Sequence, residues 1–119
     1  MNEQMHSNPH MLQGVFPFQG RGLDQPFLLH PSLASTVPPG KSAHLLYFRA
    51  GNSSDQLIYL IFTRDGVPMR YFPVGAKSDS HVPLAVIEDL AAGTRIEVQV
   101  AAPEGTEGWV VVDVGMVEE

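Results

Sequence analysis

The sequence predicts an all-β protein, an antiparallel β-sandwich of immunoglobulin-like or jelly-roll-like type with six to seven strands and an extended N-terminal arm. Three observations carry that reading. From Lys41 onward, short apolar runs alternate with clusters of Gly, Asn, Asp and Ser at fairly even intervals, the pattern of a sandwich or barrel. Thr94 to Ala102 alternates strictly, with Ile96, Val98 and Val100 on one face and Arg95, Glu97 and Gln99 on the other. A chain of 119 residues, 44% hydrophobic and 17% charged, can bury one core and is too short for two.

The elements follow in order. Six of the ten prolines (Pro9, Pro17, Pro26, Pro31, Pro38 and Pro39) fall in residues 1–40. Proline removes a backbone donor and biases its predecessor toward extended conformations, so 1–40 is expected as an arm with at most short edge pairings, and 41–119 as the sandwich. The arm is not a polar linker: Leu12, Val15, Phe16, Phe18, Leu23, Phe27, Leu28, Leu29 and Leu33 are spread along it. An extended segment cannot bury such side chains within itself, so they must dock on this domain or on another chain.

Residues 43–50 form the first expected strand, and Gly51 to Asp55 are loop formers. The run 56–63 (QLIYLIFT) is apolar throughout and predicts a central strand covered on both faces. Arg64-Asp65-Gly66 is a hairpin turn, because Asp-Gly tolerates the positive φ that tight turns need. The returning strand, 67–74, carries Pro68 and Pro73 and is therefore an edge. Residues 75–80 are expected as a polar loop. Residues 82–90 read as a strand, with a short helix over 83–92 as the other reading. The last strand, 108–117, places Val110, Val112, Val114 and Met116 inward and Trp109 and Asp113 on the opposite face. Trp109, the only tryptophan, is nevertheless expected as a core anchor, a surface anchor being the lesser reading. No repeat of solenoid period occurs.

Composition excludes several functions. With 13 acidic against 7 basic residues the chain has a formal net charge of −6, so its surface repels phosphate backbones and no nucleic-acid partner is expected. There is no cysteine, which removes disulfides and thiolate chemistry. No apolar run is long enough for a helical span, so no membrane association is expected. The first eleven residues lack the pattern of an export signal. Glu104, Glu107, Asp113, Glu118 and Glu119 make the end of the chain acidic, either a solvated face or a docking patch.

No motif carries catalysis. Gly40-Lys41-Ser42 resembles the end of a phosphate loop, but Ser35 stands where the first glycine is required and a strand follows. His6 and His10 sit among Met5 and Met11, yet Pro9 prevents a shared helical face, and a metal-free tail is expected. Asn52-Ser53-Ser54 matches a glycan-acceptor pattern and is read as a loop. Glu88 and Asp89 point to opposite faces of a strand and cannot share a proton. An enzyme would have to be built on distant residues such as His81 and Asp113. We therefore expect no enzyme, no cofactor and no metal. The leading expectation is a structural protein that grips a protein surface, a phage or virus capsid decoration subunit on the virion after synthesis in the host cytoplasm. Phe16, Phe18, Arg21, Phe27 and Leu28 of the arm are its candidate anchors, the partner a capsid or other assembly subunit, and the state homo-oligomeric. The other reading is a cytoplasmic, homo-oligomeric β-sandwich that binds a small ligand or a signalling partner.

Overall fold

The computed structural model describes residues 8–84 and 89–119. Ten strands form two antiparallel sheets. They are β1 (Asn8–Gln19), β2 (Gly22–Leu28), β3 (Ala34–Thr36), β4 (Ala43–Asn52), β5 (Ile58–Arg64), β6 (Val67–Val74), β7 (Ser78–Pro83), β8 (Asp89–Leu90), β9 (Arg95–Ala102) and β10 (Glu107–Glu118). Sheet A runs β1-β10-β4-β7, with β8 beside the start of β4; sheet B runs β2-β9-β5-β6, with β3 beside β9. Counting β2 with β3 and β7 with β8 as broken strands leaves eight, ordered 1-8-3-6 and 2-7-4-5. That is the double-sheet jelly roll, so of the two expected sandwich types the immunoglobulin-like one is not adopted.

The division into a 1–40 arm and a 41–119 sandwich is corrected. Residues 8–36 supply β1, β2 and β3, and the expected strand over 82–90 is two, which together make ten strands rather than six or seven. β1 pairs with β10 over its whole length, Asn8 opposite Glu118 and Gln19 opposite Glu107. Prolines did not prevent this because β1 is an edge strand, where one side of the backbone has no ladder to complete. The chain then crosses to sheet B at Gly20, whose N–H donates to the Thr106 carbonyl at 2.7 Å while its own carbonyl accepts from Gly105 N–H at 3.0 Å. A single 3-10 turn, Pro31–Leu33, leads into β3.

Between the sheets lies one core. Leu12, Phe16 and Phe18 of β1 enter it with Leu29, Leu33 and Val37, and meet Val110, Val112, Val114 and Met116 of β10. Phe48 and Phe72 stack across the gap, ring centroids 3.9 Å apart. The expectations for 56–63, 67–74 and 94–102 are met. β5 is buried on nearly every residue, β6 is an edge, and β9 turns Ile96, Val98 and Val100 inward.

The single strand expected over 82–90 is two short ones, β7 and β8, and Glu88 lies in the undescribed 85–88. β7 begins at Ser78, inside the expected polar loop, because Asn52 through Ala50 of β4 offer a ladder to Ser78, Asp79 and Ser80. Backbone pairing there outweighs the turn propensity of the side chains. His6 and the possibility of a His6–His10 site fall outside the described residues.

Candidate functional site

The outer face of sheet A is built by alternation along each strand and register across them. In β1 and β10 every second side chain points away from the core, and four of the resulting rows make the middle of the face. Pro17 and Trp109 make the first. Val15, Val111, Gly51 and Asp79 make the second, Gln13, Asp113, Arg49 and His81 the third, and Met11, Gly115, Tyr47 and Pro83 the fourth. Neighbours within a row are about 4.8 Å apart, and rows are separated by roughly 7 Å.

The third row is held rigidly. Arg49 Nη2 donates to Asp113 Oδ2 at 2.6 Å, and the Tyr47 hydroxyl donates to Asp113 Oδ1 at 3.1 Å. Tyr47 reaches Asp113 by lying flat over Gly115, where an added Cβ would overlap its ring. His81 meets the same ring edge-on, centroids 6.3 Å apart. Burial, then the hydrogen bond to Asp113 and its charge, hold the Tyr47 phenol above its usual range. The bond to Asp113 likewise raises Arg49, which stays a cation. The carboxylate is thus locked against two donors while the guanidinium remains about half exposed, at 55% of its side-chain area.

Beside this polar row the second and first rows are, on β1 and β10, apolar and open: Val15 is 58% exposed, Val111 49% and Trp109 53%, while Asp79 ends the second row on β7. Trp109 is therefore not the core anchor expected of it. Its neighbours Val110 and Val112 fill the core, and alternation sends the indole outward. A concavity of about 930 Å³ runs along the face, floored by Gly51 and walled by Val15, Val111, Arg49 and His81. A second hollow extends it toward Trp109 past Asp79 and Ser53.

The anchors predicted from sequence lie elsewhere. Phe16 and Phe18 are buried in this chain's own core, and the Phe16 ring stacks on His30 at 4.6 Å. Phe27 is half-buried against the core, Leu28 is half-buried beside it, and Arg21 sits over the Phe27 ring at 3.9 Å. The five do not form one exposed surface: Phe16 and Phe18 are spent within the core, Phe27 packs against it, and Arg21 and Leu28 keep exposed area.

His81 and Asp113 share a row, but Arg49 stands between them and takes the Asp113 oxygen that a catalytic histidine would need. Asn52, first residue of the glycan-acceptor pattern, is 4% exposed. Its amide donates to the carbonyls of Gln56, Val74 and Gly75, and its oxygen accepts from Ser54 N–H. It is a buttress between β4 and the end of β6. Of the acidic C-terminal residues, Glu119 joins Asp89 in flanking His44, at 3.2 and 2.8 Å. Among the described residues no group of three His, Asp or Glu side chains is placed to hold a metal ion, and no helix is long and apolar enough to cross a membrane.

Sequence reasoning placed Asp113 on the outer face and missed its companions Gln13, Tyr47, Arg49 and Gly51. The parity of β1 and β4 was a usable signal; which strands lie side by side was not.

The fold and this face define a jelly-roll β-sandwich with one open, two-sided sheet surface, half apolar and half polar. No family model and no curated protein matches the chain. Among solved structures it is similar to PirA, at 11% identity with 95% of this chain and 96% of that one covered, TM-score 0.42. It is also similar to a chain in the structure of infectious bursal disease virus Gx strain, at 10% identity and TM-score 0.46. That match covers 94% of this chain, which spans only 35% of the viral one.

Proposed function

We propose that the protein is a non-catalytic binding module whose ligand occupies the outer face of sheet A. The observation that carries this is the coincidence on one face of exposed apolar side chains with a pre-set polar row. Met11, Val15, Trp109 and Val111 are four of the nine large hydrophobics left exposed among the described residues; Met11, Val15 and Val111 border Gln13, Asp113, Arg49 and His81, and Trp109 lies one row further. Open apolar surface next to a few fixed polar groups is the usual constitution of a binding site. The reading favours the ligand-binding alternative over arm-mediated capsid decoration, because Phe16 and Phe18 already have their burial. A capsid or other assembly partner would have to be met at this face instead.

Amide NMR during titration with a chemically mixed small-molecule set tests it. Shifts should gather at residues 13–15, 49–51, 79–81 and 109–113. Shifts gathering on sheet B, or none from any member of the set, would overturn the assignment.

A further inference from the structure

Resting on that reading, we infer that the ligand is a neutral oligosaccharide, one ring lying over Val111 with hydroxyls toward Asp113 and Arg49 and the next reaching along the face to Trp109. Three features argue for it. The first is the pairing within the third row. Asp113 only accepts hydrogen bonds and Arg49 only donates them, and the 2.6 Å ion pair sets them side by side. A vicinal diol matches such a pair, one hydroxyl donating to the carboxylate while its neighbour accepts from the guanidinium. Each Asp113 oxygen already accepts one bond, from Tyr47 or Arg49, and has a second lone pair for a ligand hydroxyl, while Arg49 has further N–H groups to donate.

The second feature is the division of the face. A polar array with two exposed valines one row away and an exposed indole one row further suits a molecule that carries both C–H faces and hydroxyls, as linked pyranoses do. Asp79 and Asp113 balance Arg49 and Lys77, and Lys77 is also paired with Asp55 at 3.1 Å, so there is no cationic surplus to attract phosphate, sulfate or a uronic acid, which is why the saccharide is a neutral one. The concavity, about 930 Å³, lies open along the face and is large enough for a small ligand.

The third feature is Gly51. It lies within β4, where glycine weakens a strand, yet neither close packing nor an unusual φ requires it. A Cβ there would meet Val111 and Asp79 at an ordinary 3.9 and 4.0 Å. What a side chain at 51 would occupy is the groove itself. A missing side chain with no packing reason, at the floor of a cleft, marks the close approach of something else.

The test uses the full chain and the fluorescence of Trp109, the only tryptophan. Neutral oligosaccharides of hexoses, pentoses and N-acetylhexosamines are titrated in, with sulfated and uronic-acid oligosaccharides as the charged arm. At least one neutral sugar should shift the emission saturably, and periodate cleavage of its diols should abolish the shift. Gly51→Val should lose binding at least tenfold while the melting temperature holds or rises. Trp109→Ala, read by amide NMR, should weaken binding at least tenfold with the melting temperature unchanged. The inference fails if no neutral sugar binds, if only charged sugars bind, or if Gly51→Val binds as the parent does. Should the mixed set still move the same amides with other compounds, only the saccharide is lost; should nothing move them, the binding face is lost with it.

Discussion

Gly115 and Tyr47 show how much of the face depends on single residues. Gly115 is buried beneath the Tyr47 ring, and without its bare Cα the phenol could not lie down to reach Asp113. Gly115→Ala should therefore cost about 1–3 kcal/mol by crowding, measured by denaturant unfolding, and should bring the tyrosine titration back toward ordinary values as the ring swings out. The phenol itself predicts a pH dependence. Its folded pKa is raised, so folding favours the protonated form. The stabilising contribution is complete below the unfolded value of about 10 and is lost as pH rises through the higher folded one. The stability difference between the parent and Tyr47→Phe should accordingly be flat from about pH 7 to 9 and shrink above about 10. A difference that moves between 7 and 9 would point to another titrating group.

Among the elements, β1 departs furthest from its sequence signals. Its prolines disfavour regular structure, and its Leu12, Phe16 and Phe18 were free to be read as anchors for another molecule. Alternation in fact turns those three inward while Met11, Gln13 and Val15 face out, the period-two pattern of a strand with one face on a core. Phe16→Ala or Phe18→Ala should each cost about 3–5 kcal/mol, seen as a large fall in melting temperature. If the melting temperature stayed put, the two rings would be available to a partner and the burial described here would be wrong. β5, β6 and β9 were legible because burial on both faces, proline at an edge and strict alternation are local marks. β7 and β8 were not, since a polar strand such as Ser78–Pro83 forms only because β4 offers it a ladder.

For the whole molecule, the consequence is that residues 8–40 are integral to the core, to which they give Leu12, Phe16, Phe18, Leu29, Leu33 and Val37. Removing residues 1–40 should leave a chain that does not fold, because Val110, Val112, Val114 and Met116 lose the side chains that cover them and β10 becomes a long, apolar, unpaired edge. Circular dichroism and size-exclusion chromatography of the truncated chain would check this; a monomeric, cooperatively melting product would refute it. The binding face has the same dependence, since Gln13 and Val15 come from β1, Arg49 and Gly51 from β4, His81 and Asp79 from β7, and Asp113, Val111 and Trp109 from β10.

By itself, the sequence determined the all-β class, the identity of most strands after residue 41, the edge character of β6 and the inward set of β10, because each of these is written in the spacing or chemistry of neighbouring residues. It also placed Asp113 on the outer face. Only the tertiary structure decided that residues 8–36 belong to the sandwich, that Trp109 is open, and that Gln13, Asp113, Arg49 and His81 stand in one row. The physical reason is that side-chain direction follows from local alternation, whereas which strand lies beside which is settled by the burial of a shared core among segments as far apart as β1 and β10.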